Sequence, residues 1–198
     1  MSPSRLSLLP APDFLPLLPD LNKHLAAVAE SITAESLASI LDSTMKRLIS
    51  GTFESVTASE GSIWLHDTRQ RSLVIAFNTG LNAGTLVAKF SQPLSAGIIS
   101  MVFANEQGFV ENHVSRNSQH DKTLDTKLHV RTESMIATPL YFLAACRGVI
   151  SCVRLQQLDD SHEGRGFSEQ DLVNVRHGAA ILGRLMDEKI LRTVVGLS

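Results

Sequence analysis

P-L-S-A-G-I-I-S-M-V-F-A (Pro93–Ala104), E-N-H-V-S-R-N-S-Q-H-D-K-T-L-D-T-K (Glu111–Lys127) and S-M-I-A-T-P-L-Y-F (Ser134–Phe142) decide the fold. The first predicts a helix entered through a small-residue turn, with Ile98, Ile99, Val102 and Phe103 as its apolar face. Gly108 ends it, and F-V-E-N (Phe109–Asn112) follows as a short strand. The last predicts a buried strand. The polar run between them holds a short helix around Asp121–Leu128 and otherwise reads as a loop. An apolar helix, a long polar loop and an apolar strand are the parts of a small-molecule pocket beneath a mobile lid, here Glu111–Val130. No catalytic device stands out in them.

Outward toward the N-terminus, G-S-I-W-L-H-D (Gly61–Asp67) alternates, with Ile63 and Leu65 on one face and Trp64 and His66 on the other. D-T-R-Q-R-S (Asp67–Ser72) is a polar turn into a second strand, L-V-I-A-F-N-T-G (Leu73–Gly80), so the two form a hairpin. After an N-A-G turn (Asn82–Gly84), T-L-V-A-K-F (Thr85–Phe90) predicts a third strand. Before these lie two helical patterns. One starts near Pro19 and carries Leu18, Leu21, Leu25, Val28 and Ile32 at spacings of three and four. The next starts after Thr33 as N-cap, with Leu37, Ile40, Leu41, Leu48 and Ile49, and either breaks at Gly51 or runs on to about Val56. Residues 1–17 read as an extended, Pro-punctuated arm.

Outward toward the C-terminus, C-R-G-V-I-S-C-V-R-L (Cys146–Leu155) pairs with Ser134–Phe142 as a hairpin closed through Leu143–Ala145. Gln157–Gly166 is a solvated loop. Ser168 caps a last helix whose Glu169 and Asp171 favour its positive end. Leu172, Val175, Ala179, Leu182 and Met186 form a heptad-like seam, suited either to packing on the sheet or to a dimer. Tight turns make the strands antiparallel, and helices on one face give an α+β domain.

Composition bounds the class. The 198 residues are 43% apolar and 19% charged with a net charge of −2, which suits one globular domain with extensions and disfavours a nucleic-acid-coating surface. The Leu-rich N-terminus is interrupted by Pro10, Pro12, Pro16 and Pro19 and by Asp13 and Asp20, unlike a signal peptide. No apolar run reaches the length of a membrane span, and a cytoplasmic location is the expectation. Cys146 and Cys152 read as reduced core thiols, without a C-x-x-C pair for zinc or redox work.

Four places, in order, resemble a GAF domain across roughly Ser36–Lys189. They are P-L-S-A-G-I-I-S-M-V (Pro93–Val102), then Asp125 with Thr132, Ser134 and Pro139-Leu140, then G-V-I-S-C-V (Gly148–Val153), then F-S-E-Q-D-L (Phe167–Leu172). The resemblance implies a GAF-like, five- to six-stranded antiparallel sheet. Its N- and C-terminal helices lie on one face and the ligand-lid side on the other. The implied parts are an arm over 1–17, an N-terminal helix over 18–33, the GAF domain over 34–192 and a tail over 193–198.

Departures narrow the occupant. The Asn-Lys pair of cyclic-nucleotide-binding GAF domains falls on Arg154-Leu155, and the Glu of their helix opening on Leu172. The lid holds no Cys, which covalent bilin binding and the GAF-type methionine sulfoxide reductase need. The resemblance implies Ala96, Gly97, Ser115, Asn117, Asp125 and Thr132 as ligand contacts. Asp125 equally suits support of the lid helix, and Thr132 a turn hydrogen bond. His113, His120 and His129, spaced seven and nine apart, fit no metal or haem motif. No cofactor is assigned. His66-Asp67 and His177 read as surface groups.

The expected function is a non-catalytic regulatory sensor. It binds an unidentified small molecule, forms a homodimer through its terminal helices and acts on an output domain, with neither nucleic acid nor membrane as partner. The alternatives are a domain that only dimerises and, ranked below it, a thiol enzyme using Cys146 or Cys152 or a haem or metal sensor.

Overall fold

The computed structural model describes residues 12–156 and 166–197. Residues 1–11 of the arm expected over 1–17, most of the solvated loop (157–165) and Ser198 lie outside the described residues. The chain divides into two compact units, residues 1–31 and 32–198. In the first, Pro12–Leu17 is a 3₁₀ turn rather than extended arm, and it leads into α1 (Leu18–Ser31). Pro19 sits in the first turn of α1, where its missing N–H costs nothing.

The second unit opens with α2 (Ala34–Ile40) and α3 (Ser43–Ser55). Thr33 and Ser36 cap α2 reciprocally. The sequence predicts one helix here, but Asp42 breaks it. Its carboxylate accepts the N–H groups of Thr44 and Met45, both at 2.9 Å, and Leu41 is extended. An Asp that caps a new helix competes with continuing the old one. The buried stripe survives the break, because Leu37, Leu41, Met45, Ile49 and Phe53 stay four apart. Gly51 lies inside α3 and does not end it.

The strands are β1 (Glu60–Asp67), β2 (Ser72–Asn78), β3 (Ser91–Pro93), β4 (Phe109–Glu111), β5 (Arg131–Phe142) and β6 (Ala145–Gln156). They form one six-stranded sheet in the order β3-β2-β1-β6-β5-β4, antiparallel throughout. The remaining helices are α4 (Ala83–Leu86), α5 (Gly97–Asn105), α6 (Thr123–Leu128) and α7 (Glu169–Val194). The α+β class and the single antiparallel sheet expected from the sequence are what the chain forms.

Two predicted elements shift. Thr85–Phe90 is not a strand. Leu86 and Phe90 are both buried, a four-residue spacing that a helical turn satisfies as well as a strand does. Phe90 N–H donates to the Leu86 carbonyl at 2.9 Å, Ala88 takes a left-handed φ of 58°, and the third strand forms at Ser91–Pro93 instead. As a result Pro93 ends a strand, and α5 begins only at Gly97. Its C-terminus is set by left-handed Glu106 rather than Gly108.

The sheet carries helices on both faces. On one, α7 crosses β5 and packs on α3, and Gly183 brings it so close that a Cβ there would strike the Tyr141 carbonyl. Val175, Ala179, Leu182 and Met186 are buried in that contact. The heptad-like seam is therefore taken up within the chain, and any dimer must use another face. On the other side of the sheet Trp64, Ile75, Phe90, Ile98, Ile99, Val102, Met135 and Val149 form one apolar cluster, edged by Leu124 and Leu128 of α6.

Candidate functional site

Between this cluster and α6 lies a cavity of about 50 Å³. Its walls are Trp64, Phe90, Ile98, Ile99, Leu124, Leu128, Met135 and Val153. Leu124 and Leu128 are one helical turn apart, so both face inward from α6. Polar groups enter from three sides: Glu60, Ser62 and Ser151 from the sheet, Gln92 from β3, and His120, Asp121, Asp125 and Thr132 from the lid and the start of β5.

The lid is fastened by Asp125. Its carboxylate accepts the Thr132 backbone N–H at 2.9 Å and the Thr132 hydroxyl at 2.7 Å, and it meets His120 Nε2 at 3.1 Å. Burial pushes this carboxyl pKa up, but the bonds from His120 and Thr132 outweigh it and hold the pKa below 3.8. Asp121 accepts the N–H and the hydroxyl of Thr123 at the start of α6, which likewise lowers its pKa.

On the sheet, Ser62 and Ser151 stand opposite each other in the β1–β6 register. Asn78 Nδ2 donates to Ser62 Oγ, and Trp64 Nε1 donates to Ser151 Oγ, both at 3.0 Å. Glu60 is two residues from Ser62 on the same face of β1. Burial raises its carboxyl pKa, against a weaker lowering by a hydrogen bond from Asn78.

The structure brings two of the six candidate residues to this cavity, Asp125 and Thr132, bonded to each other. Ala96 and Gly97 line a separate outer groove with Ser118–Lys122. There the Gln92 amide donates to the Ala96 carbonyl at 2.6 Å, and Gly97, at φ 83°, leaves no room for a side chain beside Gln92. Ser115 accepts from Arg131 at 2.8 Å on the outside of the lid. Asn117 fastens the loop, donating to Glu111 at 2.7 Å and accepting from Gln119 N–H at 2.8 Å. Sequence reasoning missed Glu60, Ser62 and Ser151. Alternation along β1 put Trp64 on a marked face, and counting back two and four residues from it reaches Ser62 and Glu60.

Burial pushes the Cys146 thiol up to about 11 and raises Cys152 as well. Neither is poised as a thiolate nucleophile at neutral pH. Among the described residues no group of three His, Cys, Asp or Glu side chains is placed to hold a metal ion, and no helix is long and apolar enough to cross a membrane.

No family model matches the sequence, and no curated protein matches it. Solved structures do. The GAF domain of a phosphoenolpyruvate-protein phosphotransferase from Acinetobacter superposes over 92% of this chain and 98% of its own, with TM-score 0.59 and 16% identity. The GAF domain/HD domain protein of Geobacter sulfurreducens matches over 81% and 99%, with TM-score 0.59 and 15% identity. The free methionine-R-sulfoxide reductase of Neisseria meningitidis, solved with its substrate, matches over 92% and 95%, with TM-score 0.56 and 20% identity. The chain has the GAF fold. Within it, Arg154 takes a structural part. Its guanidinium stacks 4.1 Å over the Phe167 ring and donates to the carbonyls of Val56, Thr57 and Gly166 and to the Thr57 hydroxyl. Asp171 closes the capping box of α7 with Ser168.

Proposed function

We propose that this GAF domain is a non-catalytic regulatory sensor that binds a small molecule beneath the α6 lid. The observation that carries the reading is the cavity between sheet and α6, closed by a latch of hydrogen bonds rather than by continuous apolar packing. A volume of about 50 Å³ holds only a few waters. A metabolite larger than that enters when the Asp125–Thr132 latch opens. A ligand then acts by favouring one lid position over another. β5 meets α6 at Thr132, and its hairpin end is tied to α7 by the Leu143 N–H, which donates to Asp187 at 2.6 Å. One strand therefore touches both the lid and the long terminal helix.

In this reading α7 passes the change to a second copy and to an output domain in the cytoplasm. The dimer face is its outer side, where Ile181, Leu191 and Val195 are exposed at 48%, 40% and 46%. The raised thiols and the lack of a lid Cys support a domain that performs no chemistry of its own. A second reading, a domain that only dimerises, draws on the small cavity, which the chain's own side chains nearly fill.

Native mass spectrometry of the gently purified full chain, with and without a metabolite library, separates the two. A bound small molecule that is lost in a Leu128→Trp variant filling the cavity supports the sensor. Neither a co-purifying species nor a library binder leaves the dimerisation module.

A further inference from the structure

Ser62 and Ser151 are 7% and 3% exposed, line the cavity and face each other across β1 and β6. Each hydroxyl oxygen accepts one bond, from Asn78 and from Trp64 respectively. A hydroxyl also has a proton to give. Among the described residues neither proton has an acceptor, in the other serine or elsewhere. Asn78 Nδ2 and the indole N–H only donate here, so neither takes a proton back, and both hydroxyl-bearing residues line the cavity. Buried donors are ordinarily satisfied, and a pair of unspent ones side by side describes a seat for an oxygen atom.

The neighbouring charge decides what else the occupant carries. Asp125 is held by three bonds and Asp121 by two. Glu60 keeps free acceptor capacity beyond Asn78, roughly 7 Å along β1 from Ser62. Among the lining residues His120 alone is able to become positive, and it is bonded to Asp125. The nearby Lys127 ammonium lies 5.7 Å from the Phe90 ring centroid and is not part of the lining. A carboxylate seated on two hydroxyls would face three carboxyl groups, a like-charge arrangement that costs rather than stabilises.

We propose that the cavity takes a small organic cation bearing a neutral acceptor oxygen: the oxygen receives the Ser62 and Ser151 protons, and the protonated amine lies against Glu60. The apolar walls, with Trp64 and Phe90 edge-to-face at 6.1 Å, enclose the carbon skeleton. This rests on the sensor reading and names the class of ligand for that site.

Trp64 is the chain's single tryptophan, so its indole N–H gives one isolated NMR signal inside the cavity. The ¹⁵N-labelled full chain is titrated with glycinamide (cation and amide oxygen), acetamide (oxygen alone), methylammonium (cation alone) and acetate. Glycinamide is expected to move the Trp64 indole signal and the amides of Gly61, Ser62 and Ser151. It should bind at least about tenfold more tightly than either half-probe, with acetate inert. Glu60→Gln, which keeps shape, and Ser62→Ala with Ser151→Ala each weaken glycinamide about tenfold, and dispersed spectra show that the variants fold. Acetate shifting the indole more than glycinamide does overturns the ligand class and leaves the binding cavity standing. An indole signal that no probe moves overturns both.

Discussion

Asp125 on α6 and Thr132 on β5 are joined twice, through the Thr132 backbone N–H at 2.9 Å and its hydroxyl at 2.7 Å. The pair turns a six-residue helix, too short to hold itself in water, into a fixed wall of the cavity. Thr132→Val keeps the shape and the backbone bond but removes the hydroxyl. It should cost about 1.5–3 kcal/mol, since the lost bond goes to a charged group, and speed hydrogen exchange selectively over Thr123–Leu128, while β5 and β6 stay protected. Uniformly faster exchange would mean that the latch belongs to the global core.

The same carboxyl sets an acid limit. A group whose folded pKa lies below its unfolded one contributes stability above the unfolded value and loses it as pH falls through the folded value. For Asp125 the unfolded value is 3.8 and the folded one lower. Lid protection should be complete above pH 3.8 and fade only below it. Exchange of the α6 amides measured down the pH scale, corrected for intrinsic rates, checks this against Asp125→Asn.

Glu60 has the opposite sign. Burial raises its carboxyl pKa above 4.5, so its ionised form opposes folding at pH 7, and the penalty disappears below the unfolded value. Glu60→Gln should therefore raise Tm at pH 7, with the gain vanishing as the pH drops below 4.5. A charge kept in a cavity at a cost to stability is the pattern expected of a binding residue. An unchanged or lowered Tm at pH 7 would remove that argument.

The β5–β6 hairpin turns on Leu143 and Ala144, both left-handed at φ 49° and 60°. Two-residue turns of this hand favour Asn-Gly, and Asp187 accepts the Leu143 N–H at 2.6 Å. Leu143→Asn with Ala144→Gly should stabilise the domain by about 0.5–1 kcal/mol in urea unfolding, by relieving φ and leaving the backbone bond intact. The gain should persist in Asp187→Asn and shrink in Asp187→Ala.

How far the sequence carried depends on the range of the signal. The apolar face of α5, the β5–β6 hairpin and the Ser168 cap are written in local periodicity and were legible. Thr85–Phe90 was not, because Leu86 and Phe90 satisfy both a strand's alternation and a helix's four-residue step, and only the backbone bonds, Phe90 N–H to the Leu86 carbonyl and Ala88 N–H to that of Ile75, decide. The break at Asp42 hid inside an apolar stripe that continues across it. The cavity floor was the least legible part: Trp64 and Ser151 meet 87 residues apart, a contact that exists only once the β1–β6 register is set. Asp125 and Thr132 were found through resemblance, yet their partnership with each other is a fact of three dimensions.

Arg154 shows what a departure from a family pattern can hold. Its four acceptors lie at the end of α3, at Thr57 and at Gly166, and its plane stacks on Phe167. Arg154→Ala should cost about 2–3 kcal/mol, the value of charge-assisted bonds at a helix C-terminus. Arg154→Lys should recover less than half, since an ammonium has neither the fork nor the stacking plane. Urea unfolding of the three proteins tests the order.

Leu182 and Ile181 are neighbours on α7 with opposite surroundings, one 0% and the other 48% exposed. Leu182 fills the interface of α7 with β5 and α3, so Leu182→Asp buries an unpaired charge and should unfold the domain. Ile181 shares the outer side of the helix with Leu191 and Val195, at steps of ten and four residues, which keeps them on one face. Ile181→Asp with Leu191→Asp should leave the circular dichroism spectrum nearly unchanged. If the outer face is the dimer contact, light scattering will show the mass halved to that of one chain, and Tm will lose its dependence on protein concentration. A dimer that survives both charges moves the contact off this face, and a wild-type chain that is monomeric at all concentrations removes the dimer from the signalling scheme.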